Sequence, residues 1–272
     1  VLSTHTGGMG EVVMRDLTDF LEPALDHYRR LELAFECIYT GFLGSPEQIS
    51  HCLDYFRSYP QALAVVDPEL MRTVPPKYTA YQGFDALFHN TEVMMSRAGN
   101  ILSETLALSA IEHIAKYLPR AVRDGNDLEA REHVAYGSML AGMTMQLAST
   151  TAQHSMSAYH HDLPHGAGLI MISKAFAEYF IERHACDAQF VKMARAMGNP
   201  TAEDPHDFLT ALAALQKACG VDDLKMSDYG IVPDEFLTLA RGARSMQGGL
   251  FLANPCEMTD EDCAAVFARA YR

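Results

Sequence analysis

The sequence lacks the features that mark several common classes of protein. No apolar run reaches the ~18 residues that a membrane-spanning helix needs. The first residues carry neither a basic stretch nor the apolar core of a secretory leader. Six cysteines are present, but none form a CxxC pair, which argues against a zinc ribbon or a small disulfide scaffold. We therefore expect a cytoplasmic protein with free thiols and no membrane contact.

Basic residues are also scarce. The chain has 21 lysines and arginines against 35 acidic residues, which gives a formal net charge of −14. Recognition of a phosphate backbone needs clustered basic side chains, so we exclude nucleic acid as a general partner. Hydrophobic residues make up 49% of the 272 residues, which is typical of a globular protein with one large or two small domains.

Apolar residues at helical spacing run through most of the chain and predict a mainly α fold. The predicted helices cover residues 13–38, 46–58, 78–97, 101–117, 127–155, 168–184, 206–219, 234–244 and 260–271. The short apolar run 62–66 is the best strand candidate, and the Pro75-Pro76 pair beyond it marks a loop. We divide the chain into an N-terminal region, 1–66, and a helical domain, 67–272.

Two segments carry side chains that suit a metal ion. Asp85 and His89 are four residues apart, so a helix places both on one face. Four of the twelve histidines fall between His154 and His165, and His165 is fixed between a proline and a glycine. Either segment alone also fits an ordinary solvated surface. Together they offer nitrogen and oxygen ligands without a thiolate, a set that suits catalytic Fe(II) or Zn(II).

Several motifs, in the same order, resemble the iron-containing alcohol dehydrogenases. They are Asp67-Pro68-Glu69-Leu70-Met71, the segment from Thr79 to His89, Leu140-Ala141-Gly142-Met143, the His154 segment, Leu163-Pro164-His165-Gly166, Lys225-Met226-Ser227-Asp228-Tyr229-Gly230 and Gly248-Gly249-Leu250-Phe251. The resemblance runs from about residue 62 to the end. It implies the helical bundle of the C-terminal domain of the dehydroquinate synthase-like fold, preceded by a divergent or truncated nucleotide-binding part.

The resemblance also implies a ligand set and a reaction. The implied metal ligands are Asp85, His89, His154 and His165. The resemblance to the family implies Fe(II) as the metal, although the same ligand set accepts Zn(II). The implied activity is hydride transfer between an alcohol or aldehyde and NAD or NADP, with the metal as Lewis acid. Family members often self-associate, and the apolar helices of this chain permit a homo-oligomer.

The chain departs from the family between His154 and His165. This segment is shorter by about one helical turn, and the histidine that usually follows the first ligand is missing. An ungapped alignment would instead put Thr150 at the ligand position. We prefer the shortened alignment, because it preserves the family's spacing from Leu140 to His154. His160 or His161 could compensate for the missing histidine.

The second departure concerns the nucleotide cofactor. The sequence contains no Gly-Gly-Gly-Ser turn of the kind that binds a pyrophosphate. Gly7, Gly8 and Gly10 are the only candidates for a cofactor loop, and a short glycine cluster also fits a plain turn. An alternative function is therefore open: a non-catalytic, metal-binding helical domain without a working cofactor site. A helical protein that binds no metal is a third alternative.

Overall fold

The computed structural model describes residues 18–35, 37–38, 51, 54–55, 57–59, 63–64, 66–157 and 163–272. The chain divides into two compact units, residues 1–66 and 67–272. Among the described residues, no helix combines the length and apolarity needed to cross a bilayer.

The first unit contains one long described helix, α1 (Thr18–Arg30), and two short strands. Strand β1 (Cys37–Ile38) pairs in parallel with β2 (Leu63–Ala64), so the predicted strand candidate at 62–66 is confirmed in its middle. The predicted helix over 13–38 is wrong beyond Arg30. Glu32 adopts a φ of +52°, a left-handed conformation that a right-handed helix cannot continue through.

The second unit is helical throughout its described length, which confirms the predicted mainly α fold. Its α-helices are α2 (Pro76–Met95), α3 (Ile101–Arg123), α4 (Leu128–Leu147), α5 (Ala152–Ser157), α6 (His165–Ile181), α7 (Asp187–Ala196), α8 (His206–Ala218), α9 (Phe236–Leu252) and α10 (Asp260–Ala270). Short 3-10 helices lie at Pro68–Met71, Met226–Tyr229 and Pro233–Glu235. The analysis of the sequence missed α7.

Helix α6 lies at the centre of the second unit. It is apolar on nearly every side and buried along almost its whole length, as a helix without a polar face must be. It packs against α2, α5, α8 and α10. Helix α2 is also mostly buried, so the side chains that these two helices present to each other are held by the core.

The long helix predicted over 127–155 is broken into α4 and α5. Ala148 is extended at the end of α4. The Thr151 amide then donates to Glu92 Oε2 at 2.6 Å, and the Ala152 amide donates to Asn254 Oδ1 at 3.0 Å. These amides use side-chain acceptors from α2 and from the loop after α9 instead of the carbonyls one turn back, so the helical ladder stops and restarts. The break sets the direction of α5, which carries His154.

Candidate metal centre

The predicted ligands meet where α2, α5 and α6 come together. Helical spacing places Asp85 and His89 on one face of α2, as predicted. His154 comes from α5, and His165 is the first residue of α6, directly after Pro164. Potential ligand atoms of Asp85, His154 and His165 all lie within 4.8 Å of one another.

The three imidazoles converge on one carboxylate oxygen, Asp85 Oδ1. The Nε2 atom of His154 lies 3.3 Å from it, and the Nε2 atoms of His89 and His165 lie 3.5 Å from it. The imidazole of His89 stacks on that of His154, with ring centroids 3.9 Å apart. Asp85, His154 and His165 form the close group, and His89 lies at its edge, because it contacts Asp85 but is not within 4.8 Å of all three.

A buried carboxylate that the sequence analysis missed holds His154 in place. Glu92 is fully buried, and its Oε1 forms a very short hydrogen bond with Nδ1 of His154. Its other oxygen accepts from the amide and the hydroxyl of Thr151, both at 2.6 Å. Because Glu92 occupies Nδ1, the Nε2 atom of His154 is the one that faces Asp85. This carboxylate–imidazole pairing is the usual support of a metal-binding histidine.

His165 has a support of its own. Its Nδ1 atom lies 3.0 Å from the hydroxyl of Ser157, which itself donates to the His154 carbonyl at 3.0 Å. Ser157 therefore connects the two histidines and leaves Nε2 of His165 directed at Asp85. His165 is the most exposed of the four side chains, at 42%, so the site is open on this side.

The three histidines of the site differ in pKa, because their surroundings differ. Burial and the positive charge of His154 together lower the pKa of His89 to about 3. Burial also lowers the pKa of His165, although Asp85 acts in the opposite direction. For His154 burial is outweighed by Glu92 and Asp85, which raise its pKa to about 9.

Asp85 remains a carboxylate in this cluster. Burial alone would raise its pKa, but the hydrogen bond from His154, together with the positive charge of that ring, lowers it below the usual value. His89 and His165 are neutral bases at neutral pH. His89 Nδ1 is buried and has no hydrogen-bond partner among the described residues.

The donor set fits a metal ion. Neutral imidazole nitrogens and a carboxylate are the ligands of catalytic zinc and of non-haem iron. Asp85, His154 and His165, with His89 beside them, offer such donors without a thiolate and are open at His165. His154, whose raised pKa keeps it protonated in the metal-free protein, would lose its Nε2 proton on binding a divalent ion. The remaining sequence candidates, Gly7, Gly8, Gly10, His160 and His161, lie outside the described residues. Thr150, the ligand in the ungapped alignment, is buried just before α5.

The supporting residues Glu92 and Ser157 cannot be recognised from the sequence without further knowledge of the site or the fold. Glu92 lies seven residues after Asp85 and three residues after His89, so a helix places all three side chains on one face. This spacing is a usable signal once Asp85 and His89 are taken as ligands. Ser157, in contrast, meets His165 across the segment 158–162, and no spacing rule predicts that contact.

Replacing Glu92 with glutamine is expected to weaken metal binding by about 10–100-fold, the usual cost of losing such a supporting group. The amide has nearly the shape of the carboxylate but no charge, so His154 loses the partner that fixes its orientation. Titration of the metal-free variant with Zn(II) measures the effect. Glu104→Gln, which removes only the ion pair with Lys192, is the control and should bind Zn(II) normally. Unchanged affinity in Glu92→Gln would contradict the positioning role.

The fold and the site define a class: a helical domain with a candidate metal centre of nitrogen and oxygen donors, which come from two long helices and the short helix α5 between them. The sequence matches the Fe-containing alcohol dehydrogenase family, C-terminal, over residues 79–271. The chain belongs to this family, as its motifs predicted.

The relatives agree with that assignment. Alcohol dehydrogenase 4 of Saccharomyces cerevisiae is 31% identical over 214 residues, which cover 77% of this chain and 55% of the yeast protein. The 1,3-propanediol dehydrogenase of Klebsiella pneumoniae is 28% identical and covers all of this chain, with 71% of its own length aligned.

Solved structures give the same result for the fold. The crystal structure of an archaeal alcohol dehydrogenase from a Red Sea brine pool superposes with a TM-score of 0.71 and 29% identity. The superposition covers 76% of this chain and 54% of the archaeal one. The chain thus spans about half the length of the yeast and archaeal proteins.

Proposed function

We propose that this protein is a metal-dependent oxidoreductase that interconverts an alcohol and an aldehyde with NAD or NADP. The observation that carries the proposal is the convergence of three imidazole Nε2 atoms on Asp85 Oδ1, at 3.3 to 3.5 Å. Asp85, His89, His154 and His165 are the proposed ligands of Fe(II) or Zn(II). Family membership and the alcohol dehydrogenases among the relatives support this reading.

The metal, when bound, supplies a Lewis acid for the oxygen of the alcohol or aldehyde. The chain's own residues prepare its place. Asp85 contributes a negative charge, and the low pKa of His89 keeps that ring neutral and free to ligate. Glu92 and Ser157 hold the Nδ1 atoms of His154 and His165, so both rings present Nε2 to the same point.

The surroundings of the site favour polarisation of a bound substrate oxygen over its solvation by water. Glu92 and His154 are buried, and the helices around them belong to the apolar core. Charges act over short distances more strongly in such a setting than in water. Asp85 and His165 are the more exposed proposed ligands, so a small alcohol can approach from their side, while His154 is buried away from bulk water.

The nicotinamide part of the proposal rests on the family alone. Residues 1–66 are proposed as the divergent remnant of a nucleotide-binding domain, with Gly7, Gly8 and Gly10 as its candidate loop. Among the described residues, four cysteines are free thiols, and all of them except Cys256 are buried: Cys186, Cys219, Cys256 and Cys263. Free thiols support a reducing compartment such as the cytoplasm.

Two measurements on the purified chain test this function. Metal analysis after gentle purification should find Fe or Zn near one equivalent, and calorimetric titration should detect saturable binding of NADH or NADPH with a micromolar or tighter Kd, about −8 kcal/mol. A panel of short alcohols then reports turnover through absorbance of the reduced nicotinamide. Bound metal without cofactor binding would favour the alternative, a non-catalytic metal-binding domain. Absence of metal would contradict both.

A further inference from the structure

A second pair of histidines lies on other helices of the same unit. His113 is on α3 and His133 is on α4, and these two helices are joined by a short turn and pack side by side. The Nδ1 atoms of the two rings are 2.6 Å apart, and both rings are half-buried. The pair shares no residue with the Asp85 centre.

Two tyrosines fix the orientation of these rings across the helix interface. Tyr117 of α3 stacks on His133 of α4, with centroids 3.8 Å apart and planes 20° apart. Tyr136 of α4 lies against His113 of α3, with centroids 4.9 Å apart. Each imidazole is thus held by a tyrosine from the opposite helix, which removes much of the rotamer freedom that ligand binding would otherwise have to restrict.

The short distance requires that the two nitrogens share one proton, because two protonated Nδ1 atoms could not approach so closely. Burial lowers the pKa of His113, and the neighbouring His133 lowers it further. The two Nδ1 atoms of the pair therefore face each other across a single exchangeable proton. A metal ion can replace such a proton.

We propose that His113 and His133 form a second metal site, which takes a divalent ion of tetragonal preference such as Ni(II) or Cu(II). Imidazole nitrogens bind such ions at about 2.0–2.1 Å, so two adjacent ligand positions lie about 2.9 Å apart. The rings need to separate by a few tenths of an ångström and to tilt, so that both Nδ1 lone pairs meet at the ion. The ring that carries the shared proton loses it from Nδ1 to solvent and takes one up at Nε2, so each ring binds the ion through Nδ1 without a change in its number of protons.

Water completes the coordination of this second ion. Among the described residues, groups of three or more histidine, cysteine or carboxylate ligands occur only at the Asp85 centre. The His113–His133 site is therefore a two-ligand site, weaker than the four-ligand centre and filled after it. The ion joins α3 to α4 and should stabilise that helix pair by mass action.

Equilibrium dialysis of the metal-free protein against Ni(II) tests the proposal. The unaltered chain should bind one more equivalent than His133→Gln, and His113→Gln should lose the same equivalent. His206→Gln removes a single exposed histidine that pairs only with Asp204, and this control should keep full binding. Because the chain has no tryptophan, tyrosine emission reports the same titration, and its change from Tyr117 and Tyr136 should disappear in both pair variants.

The two metal sites can be told apart by variants of each. His165→Ala should lose the tight equivalent and keep the weak one, whereas His133→Gln should do the reverse. Melting without metal checks that each variant folds, and the two single variants lie on different helices, so one tests the proposal if the other is unstable. Ni(II) binding that is the same in His113→Gln, His133→Gln and the unaltered chain overturns the second site.

Discussion

Replacing His165 with alanine is expected to remove metal binding and alcohol oxidation together. A four-ligand metal site contributes on the order of 10–16 kcal/mol, so one ligand accounts for roughly 3 kcal/mol, or about a hundredfold in affinity. His165 is the most exposed of the four proposed ligands, at 42%. It is the first residue of α6, and its side chain lies outside the apolar core. The fold of the metal-free protein should therefore survive the change.

Metal affinity, residual metal after purification and melting temperature should be measured on the same preparation. The matched control is His206→Ala, because His206 is also the first residue of a helix, is 60% exposed and has a single carboxylate partner, Asp204. The control should keep its metal and its melting temperature. If His165→Ala still binds metal tightly, His165 is not a ligand, and the proposed ligand set is wrong at this position.

The sequence predicted the ligand-bearing parts of this structure well where the information is local. Asp85 and His89 are four residues apart, and the helical period alone places them on one face. Pro164 before His165 similarly marks the start of α6, because proline is favoured beside the first helical position. The family motifs added what no spacing rule contains, namely that these two segments meet.

Long-range contacts determine the parts that the sequence did not reveal. The break between α4 and α5 depends on Glu92, 59 residues from Thr151, and on Asn254, 102 residues from Ala152. Without those acceptors, the pattern of residues 127–155 is that of one continuous helix. The same break turns His154 toward Asp85, so the missed boundary and the missed role of Glu92 have one physical cause.

Replacing Gly166 with alanine is expected to destabilise the protein and to damage the metal centre in one step. A Cβ at this position would lie 2.3 Å from the backbone oxygen of Tyr81 and 2.8 Å from its carbonyl carbon. Backbone cannot rotate away as a side chain can, so α6 must move relative to α2. Overpacking of this kind costs about 1–3 kcal/mol or more, and the shift displaces His165 from Asp85.

Gly142→Ala is the matched control, because a Cβ added at Gly142 of α4 meets no atom within 4 Å. Alanine is the better helix former there by about 0.5–1 kcal/mol, so this variant should melt at a slightly higher temperature. The two changes have the same chemistry and opposite expected signs. Thermal melting of the metal-free proteins measures the change in stability, and Zn(II) titration measures the damage to the metal centre. A Gly166→Ala protein that melts and binds Zn(II) like the unaltered chain would show that α2 and α6 are not in the close contact that brings Asp85 and His165 together.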